Sequence, residues 1–198
     1  SVAPPGTAVR ALGTNPVAWA VPRRGGESVL VDFATSELAE GKLRVAVARG
    51  EQLGVAAVVD VRGRPSHDPS AFYGGGALVP FGGHKGYALS VVAELLGRGF
   101  AASAVDDGRD TPYSLLVVAL DPAATGTAAG FLGAVDDWCV DVRARAGATG
   151  AQVTLPGEPE ARARADRRVN GVPLPPATWA ALLELRDRGA LAPTLEAS

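Results

Sequence analysis

The residues best suited to chemistry are Gly82-Gly83-His84-Lys85-Gly86, which lead straight into a helix-like apolar run ending near Phe100. Glycines ahead of a helix let backbone N–H groups approach an anion, the helix terminus adds partial positive charge, and Lys85 adds a mobile full charge. Such a turn suits a phosphate; the same residues also make an ordinary glycine-rich helix start with an exposed lysine. Only two of the nineteen Lys and Arg residues are lysines, which gives Lys85 added weight. Asp32 closes the apolar stretch Ser28 to Val31. A carboxylate there must be solvated, hydrogen-bonded or paired, and it reads either as a ligand-facing strand end, turned toward a cleft, or as a turn aspartate. Gly157-Glu158-Pro159 opens a polar helix, where Glu158 favours the dipole without any ligand. His84 lies among glycines with no carboxylate near in sequence and lines a site rather than serving as a base; His67 reads as a surface-loop histidine.

The elements that must position these residues follow from periodicity. Val17, Trp19 and Val21 alternate after an Asn-Pro turn signal, predicting a strand that ends at Pro22, and Ser28 to Phe33 predicts a second strand pairing with it as a hairpin. Leu38, Gly41, Val45 and Ala48 share a helical face, with Thr35 or Ser36 as cap and Gly50 as stop. A strand is expected around Ala56 to Val61. The helix after the glycine-rich turn puts Leu89, Val92, Ala93 and Leu96 on one stripe and is expected to stop at Gly97-Arg98-Gly99. Tyr113 to Leu120 reads as a buried strand. Phe131, Val135, Trp138 and Val142 define an amphipathic helix, with Cys139 assigned to core. A polar helix and a last amphipathic helix, capped by Thr178 or preceded by Pro176, complete the chain. Hairpin-like pairs together with helix-separated strands predict a mixed α/β fold in which antiparallel pairing is prominent.

Composition narrows the classes. A chain of 198 residues with 47% hydrophobic content can bury a core, so disorder is excluded. The net charge of −2, without a basic block, argues against nucleic acid as a partner. A single cysteine excludes an internal disulfide framework or a multi-cysteine metal site and fits a cytoplasmic protein. No apolar run reaches spanning length, so no membrane partner is expected. The sequence has no methionine and opens in a Pro-rich turn, from which a piece of a longer protein is expected. Neither G-x-G-x-x-G after a strand nor G-x-x-x-x-G-K-[ST] is present.

Taken together, GTNPVAWAVP, VLVDFATS, EGKLRVAVARGEQL, DVRGRPSHDP and VPFGGHKGYALSVVAELL, with the later LPGE and NGVPLPPATWAALLEL, resemble the malate/L-lactate dehydrogenase type 2 family over the whole chain. That family includes ureidoglycolate dehydrogenase, diketogulonate reductase and cyclic ketimine reductases. The resemblance implies a non-Rossmann fold, with a largely antiparallel sheet flanked by helices, that binds NAD or NADP in a homodimer. It implies cofactor contacts at Asp32, Phe33 and Ala34, at His84 and Lys85, and at Gly157, Glu158 and Pro159. His84 stands where the family commonly has an aromatic residue or proline. The family's catalytic histidine and its substrate-carboxylate arginine match nothing here and are expected upstream. Residues 1–150 are then an NAD(P)-binding domain, and 151–198 a helical segment packing on an N-terminal domain the chain lacks. The implied activity is hydride transfer between nicotinamide and a 2-oxo acid (malate, lactate or ureidoglycolate type) or a cyclic imino acid. The alternative is a non-catalytic dinucleotide-binding partner subunit.

Overall fold

The computed structural model describes residues 1–101 and 114–188. The elements run β1 (Val17–Val21), β2 (Val29–Phe33), α1 (Glu40–Arg49), β3 (Val58–Val59), β4 (Pro65–Ser66), α2 (Ser70–Tyr73), β5 (Ala77–Leu78), α3 (His84–Ala101), α4 (Ala128–Gly147), α5 (Glu158–Asn170) and α6 (Pro176–Asp187). The expected hairpin forms: β1 and β2 pair antiparallel from Val17 opposite Phe33 to Val21 opposite Val29. The expected strand near Val58 also forms and sits at the centre of a second antiparallel sheet, ordered β4-β3-β5. The class is therefore mixed α/β with antiparallel pairing, in two small sheets among the described residues. Val2 joins the second sheet through bridges to Leu12 and Leu78. The core gathers on this sheet, where Val2, Leu43, Ala46, Val58, Phe72 and Leu78 bury one another.

Several helix boundaries and faces differ from expectation, each for a contact made elsewhere. α1 begins at Glu40, with Ala39 as an N-cap that makes no side-chain bond. Thr35 and Ser36 are unavailable as caps. Both the Thr35 N–H and its hydroxyl donate to the Thr14 carbonyl, at 2.9 Å each, and the Ser36 hydroxyl donates to the Leu38 carbonyl at 2.7 Å. With that later start, Leu43 and Ala46 face the core, while Val45 is 48% exposed. Gly50 ends the helix with φ 66°, as anticipated.

α3 passes through Gly97 and Gly99 to Ala101, and it buries Gly86, Ser90 and Gly97. The large residues of the expected stripe are not its buried face: Val92 is 50% exposed and Leu96 43%. On α4 the buried residue is Cys139, in agreement with its core assignment, whereas Trp138 beside it is 59% exposed. Thr127 caps α4, its hydroxyl accepting from the Gly130 N–H at 3.0 Å.

The expected strand over Tyr113 to Leu120 does not form within its described part. Ser114 to Leu120 carries no strand assignment, and Leu115 and Leu120 are 87% and 86% exposed. Apolar composition makes a segment able to be a buried strand, but a strand also needs a neighbouring edge for its backbone N–H and C=O groups. Tyr113 lies outside the described residues. α5 and α6 bury no residue; α6 opens on Pro176, so the proline rather than Thr178 marks its start. No helix among the described residues is long and apolar enough to cross a membrane.

Candidate functional site

The three segments singled out in the sequence all make contact with β2 or with the turn that leaves it. Asp32 and Phe33 are the last two residues of β2, opposite Ala18 and Val17. Period-two alternation sends them to opposite faces. Phe33 packs edge-on against Phe81, ring centroids 5.4 Å apart, and lies 6.2 Å from Trp19, its diagonal neighbour across the hairpin. These rings remain reachable: Phe33 is 37% exposed and Trp19 52%. Asp32 is itself exposed, so its carboxylate is solvated here rather than turned away from water. Ala34 is half-buried at the start of the turn.

That turn is stitched to the glycine-rich segment. Phe81 N–H donates to the Thr35 carbonyl at 3.1 Å, Glu37 N–H to the Val79 carbonyl at 2.8 Å, and Ser36 bridges Pro80. The closeness depends on Gly86: a Cβ there would lie 2.3 Å from the Phe81 oxygen and 2.8 Å from the Thr35 oxygen. Between these fixed points, Gly82 and Gly83 take left-handed φ values of 54° and 61°. Gly83 has nothing within 4 Å of where a Cβ would stand, so its backbone is open to an approaching group. His84 and Lys85 follow as the first residues of α3, both exposed, and Lys85 makes no ion pair among the described residues. A cleft of about 380 Å³ borders Gly82 and Gly83, walled by Pro4, Pro80, Val79 and Glu37.

The third segment meets β2 from its other end. Leu30 N–H donates to the Pro156 carbonyl at 3.0 Å. Gly157, at φ 94°, comes so near that a Cβ would lie 2.9 Å from that of Leu30. Any side chain would push the turn off the strand. The Glu158 carboxylate accepts from the Leu155 N–H at 3.0 Å and pairs with Arg143 and, at 3.9 Å, Arg162. The Leu155 N–H, with Arg143 and Arg162 beside it, holds Glu158 below the usual carboxylate range. Pro159 follows in the first turn of α5.

Several contributors carried no chemical signal in the sequence: Thr14 and Thr35, whose mutual bonds position Ala34, and Trp19 and Phe81, which flank Phe33. The alternation of β1 places Trp19 on the Phe33 face; nothing local announces the Phe81 contact, which spans 48 residues. His67 is exposed in its loop, as expected, with its Nδ1 2.9 Å from the Leu53 carbonyl. Among the described residues no cluster of three or more His, Cys, Asp or Glu could hold a metal ion.

Comparison with known proteins gives this geometry a context. The chain is 37% identical over 199 residues to the Δ1-pyrroline-2-carboxylate reductase of Ancylobacter novellus, an alignment covering 95% of this chain and 57% of that protein. It is 35% identical over 182 residues to the L-sulfolactate dehydrogenase of Methanothermobacter thermautotrophicus, covering 88% of this chain and 51% of that one. The crystal structure of Δ1-piperideine-2-carboxylate reductase from Pseudomonas syringae superposes with a TM-score of 0.72 at 31% identity, over 93% of this chain and 56% of that one. The chain thus spans little more than half the length of these relatives. The malate/L-lactate dehydrogenase family model matches residues 1–183, and the chain belongs to that family of oxidoreductases.

Proposed function

We propose that this chain is the cofactor-binding part of an NAD- or NADP-dependent oxidoreductase that moves hydride between nicotinamide and a small 2-hydroxy/2-oxo acid or cyclic imino acid. The observation that carries the reading is the convergence of the three family-matched segments, 32–34, 84–85 and 157–159, on one strand and its exit turn, in a chain whose relatives are named as reductases of cyclic imino acids and dehydrogenases of sulfolactate.

The residues present fit a dinucleotide. Open backbone at Gly83, the start of α3 and the exposed ammonium of Lys85 are complementary to phosphate. Phe33 and Trp19 offer apolar ring surface to a planar group. Glu158 is engaged by Leu155 and Arg143, so it serves by shaping the turn, and Gly157 by letting that turn lie on β2. The bound nicotinamide supplies or takes the hydride, leaving the protein to bind, orient and exclude water. The proton that accompanies hydride delivery must come from a positioned acid. Neither His67, tied to Leu53, nor His84, exposed at the head of α3, matches the family's donor. The family resemblance supports a homodimer for the whole protein, and the single cysteine fits a cytoplasmic setting.

The test is titration of the purified chain with NADH and with NADPH, followed by nicotinamide fluorescence. Saturable binding of one or both is expected; none at millimolar cofactor sinks the proposal.

A further inference from the structure

Asn15 is the one residue other than glycine that holds a left-handed backbone among the described residues, with φ 36°. Such a conformation is uncommon outside glycine, although asparagine tolerates it better than most, and its persistence calls for contacts that over-determine it. Those contacts are present. The Asn15 side-chain amide donates to the Ser90 carbonyl at 3.1 Å, to the Ser90 hydroxyl at 3.1 Å and to Glu94 Oε2 at 2.9 Å, all on α3. Ser90 is fully buried. The Arg98 guanidinium holds the Glu94 carboxyl below the usual carboxylate range, with help from the Asn15 amide. Gly13 gives the amide room: a Cβ there would lie 2.6 Å from Asn15 Oδ1.

The bonds form a closed circuit. From Ser90 on α3 it passes to Asn15, and along the chain to Thr14, whose carbonyl receives both Thr35 bonds. From Thr35 it passes to Phe81, whose N–H is 3.1 Å from the Thr35 carbonyl, and from the Phe81 carbonyl to the Gly86 N–H at 3.0 Å, back on α3. Ala34 immediately precedes Thr35, and His84 and Lys85 lie between Phe81 and Gly86. Two of the three proposed cofactor-contacting segments are therefore held on this one ring. We propose that Asn15 is a positioning residue, whose amide closes the ring on α3 and sets the spacing between the strand exit at residues 32–34 and the helix start at residues 84–85. The inference rests on the nicotinamide-binding reading above and deepens it: Asn15 touches no cofactor but determines how well the two contacting segments fit one.

The test uses the complete 198-residue chain. Asn15→Gly retains the left-handed backbone and removes only the amide. Its NADH or NADPH dissociation constant is expected to rise about ten-fold, the scale of a lost hydrogen bond to a charged group, at a temperature where circular dichroism shows the variant folded. Asp136→Ala removes the α4 carboxylate that accepts from Arg23 and from the Arg24 and Gly25 N–H groups at the turn of the β1-β2 hairpin; it serves as the control and is expected to lower the melting temperature while leaving the dissociation constant unchanged. Asn15→Asp combined with Glu94→Gln exchanges donor for acceptor and is expected to recover part of the affinity lost in Asn15→Asp alone. In parallel, Asn15→Gly is expected to speed amide exchange at Thr35, Phe81 and Gly86 and to leave the β3 amides slow. A folded Asn15→Gly with wild-type affinity, or an equal loss in Asp136→Ala, overturns the positioning role. If the wild-type chain binds neither nucleotide, the functional reading falls instead, and the ring is judged by exchange alone: unchanged protection at Phe81 and Gly86 overturns it.

Discussion

Gly86→Ala sets two physical effects against each other with opposite signs. Inside a helix, alanine is favoured over glycine by about 1 kcal/mol, because glycine loses more backbone freedom on folding. Gly86 lies in the first turn of α3, so propensity alone predicts stabilisation. The packing predicts the reverse. The added Cβ would stand 2.3 Å from the Phe81 oxygen, 2.8 Å from the Phe81 nitrogen and 2.8 Å from the Thr35 oxygen. All three are backbone atoms, so no side chain can rotate away, and either the helix start or the 79–81 segment must move. Overpacking of this kind costs roughly 1–3 kcal/mol, and a backbone-on-backbone clash belongs at the upper end. The net expectation is destabilisation by about 2 kcal/mol, a fall in melting temperature of about 4–8 °C for a chain of this size. Gly99→Ala in the same helix is the internal comparison, since nothing lies within 4 Å of its Cβ position. It should gain roughly 0.5–1 kcal/mol from propensity alone. Thermal and urea unfolding of both variants measure the difference. A Gly86→Ala protein as stable as wild type would refute the close approach of α3 to the 35–81 pairing, and with it the geometry assigned to the glycine-rich turn.

Three further outcomes are expected. Lys85→Ala should weaken NADH or NADPH binding by about ten-fold, as for a lost charge-assisted hydrogen bond, with little change in melting temperature because the side chain is exposed; unchanged affinity by fluorescence titration would remove Lys85 from the site. The chain alone should not oxidise NADH or NADPH in the presence of pyruvate, oxaloacetate or a cyclic imino acid, since proton donation typically contributes about 10²–10⁴-fold and no residue here matches the family's donor; ordinary turnover followed at the nicotinamide absorbance would overturn that reading. Arg23 beside Asp136, at 2.9 Å, with the Arg24 and Gly25 N–H groups, holds the Asp136 carboxyl below the usual carboxylate range. A depressed folded-state value contributes stability above the unfolded carboxylate range and loses it as pH falls through the folded value. The stability gap between wild type and Asp136→Asn should therefore be full near neutral pH and close on acidification; a gap independent of pH between 7 and 2 would show that the charge plays no part.

Much of the local structure was legible in the sequence, because hairpins and helix ends are written in short-range chemistry. Alternation in β1 and the apolar run of β2 were sufficient for the hairpin, and Gly50, with its left-handed φ, for the end of α1. The glycine-rich turn at the head of α3 and the start of α5 at Gly157-Glu158-Pro159 were likewise visible, since positive φ and first-turn charge belong to particular residue types. What the sequence could not decide was which face of a helix meets which neighbour. On α3 the large residues outnumber the small ones, and periodicity selected Leu89, Val92 and Leu96; tertiary contact instead buried Gly86 against the backbone of Phe81 and Thr35, Gly97 against the Ser114 side chain and Ser90 beneath the Asn15 amide, close approaches that leave no room for bulk. Thr35 and Ser36 were eligible caps by type and were taken by Thr14 and Leu38. Ser114 to Leu120 has a strand's composition and no edge to pair with among the described residues. Residue types and spacing marked the glycine-rich turn as a candidate phosphate site, and the family resemblance extended that proposal to a dinucleotide, whereas the bonds from Asn15 to Ser90, Thr14 to Thr35 and Thr35 to Phe81, between residues 21 to 75 positions apart, are long-range closures that no local pattern encodes and that decide how the proposed segments lie relative to one another.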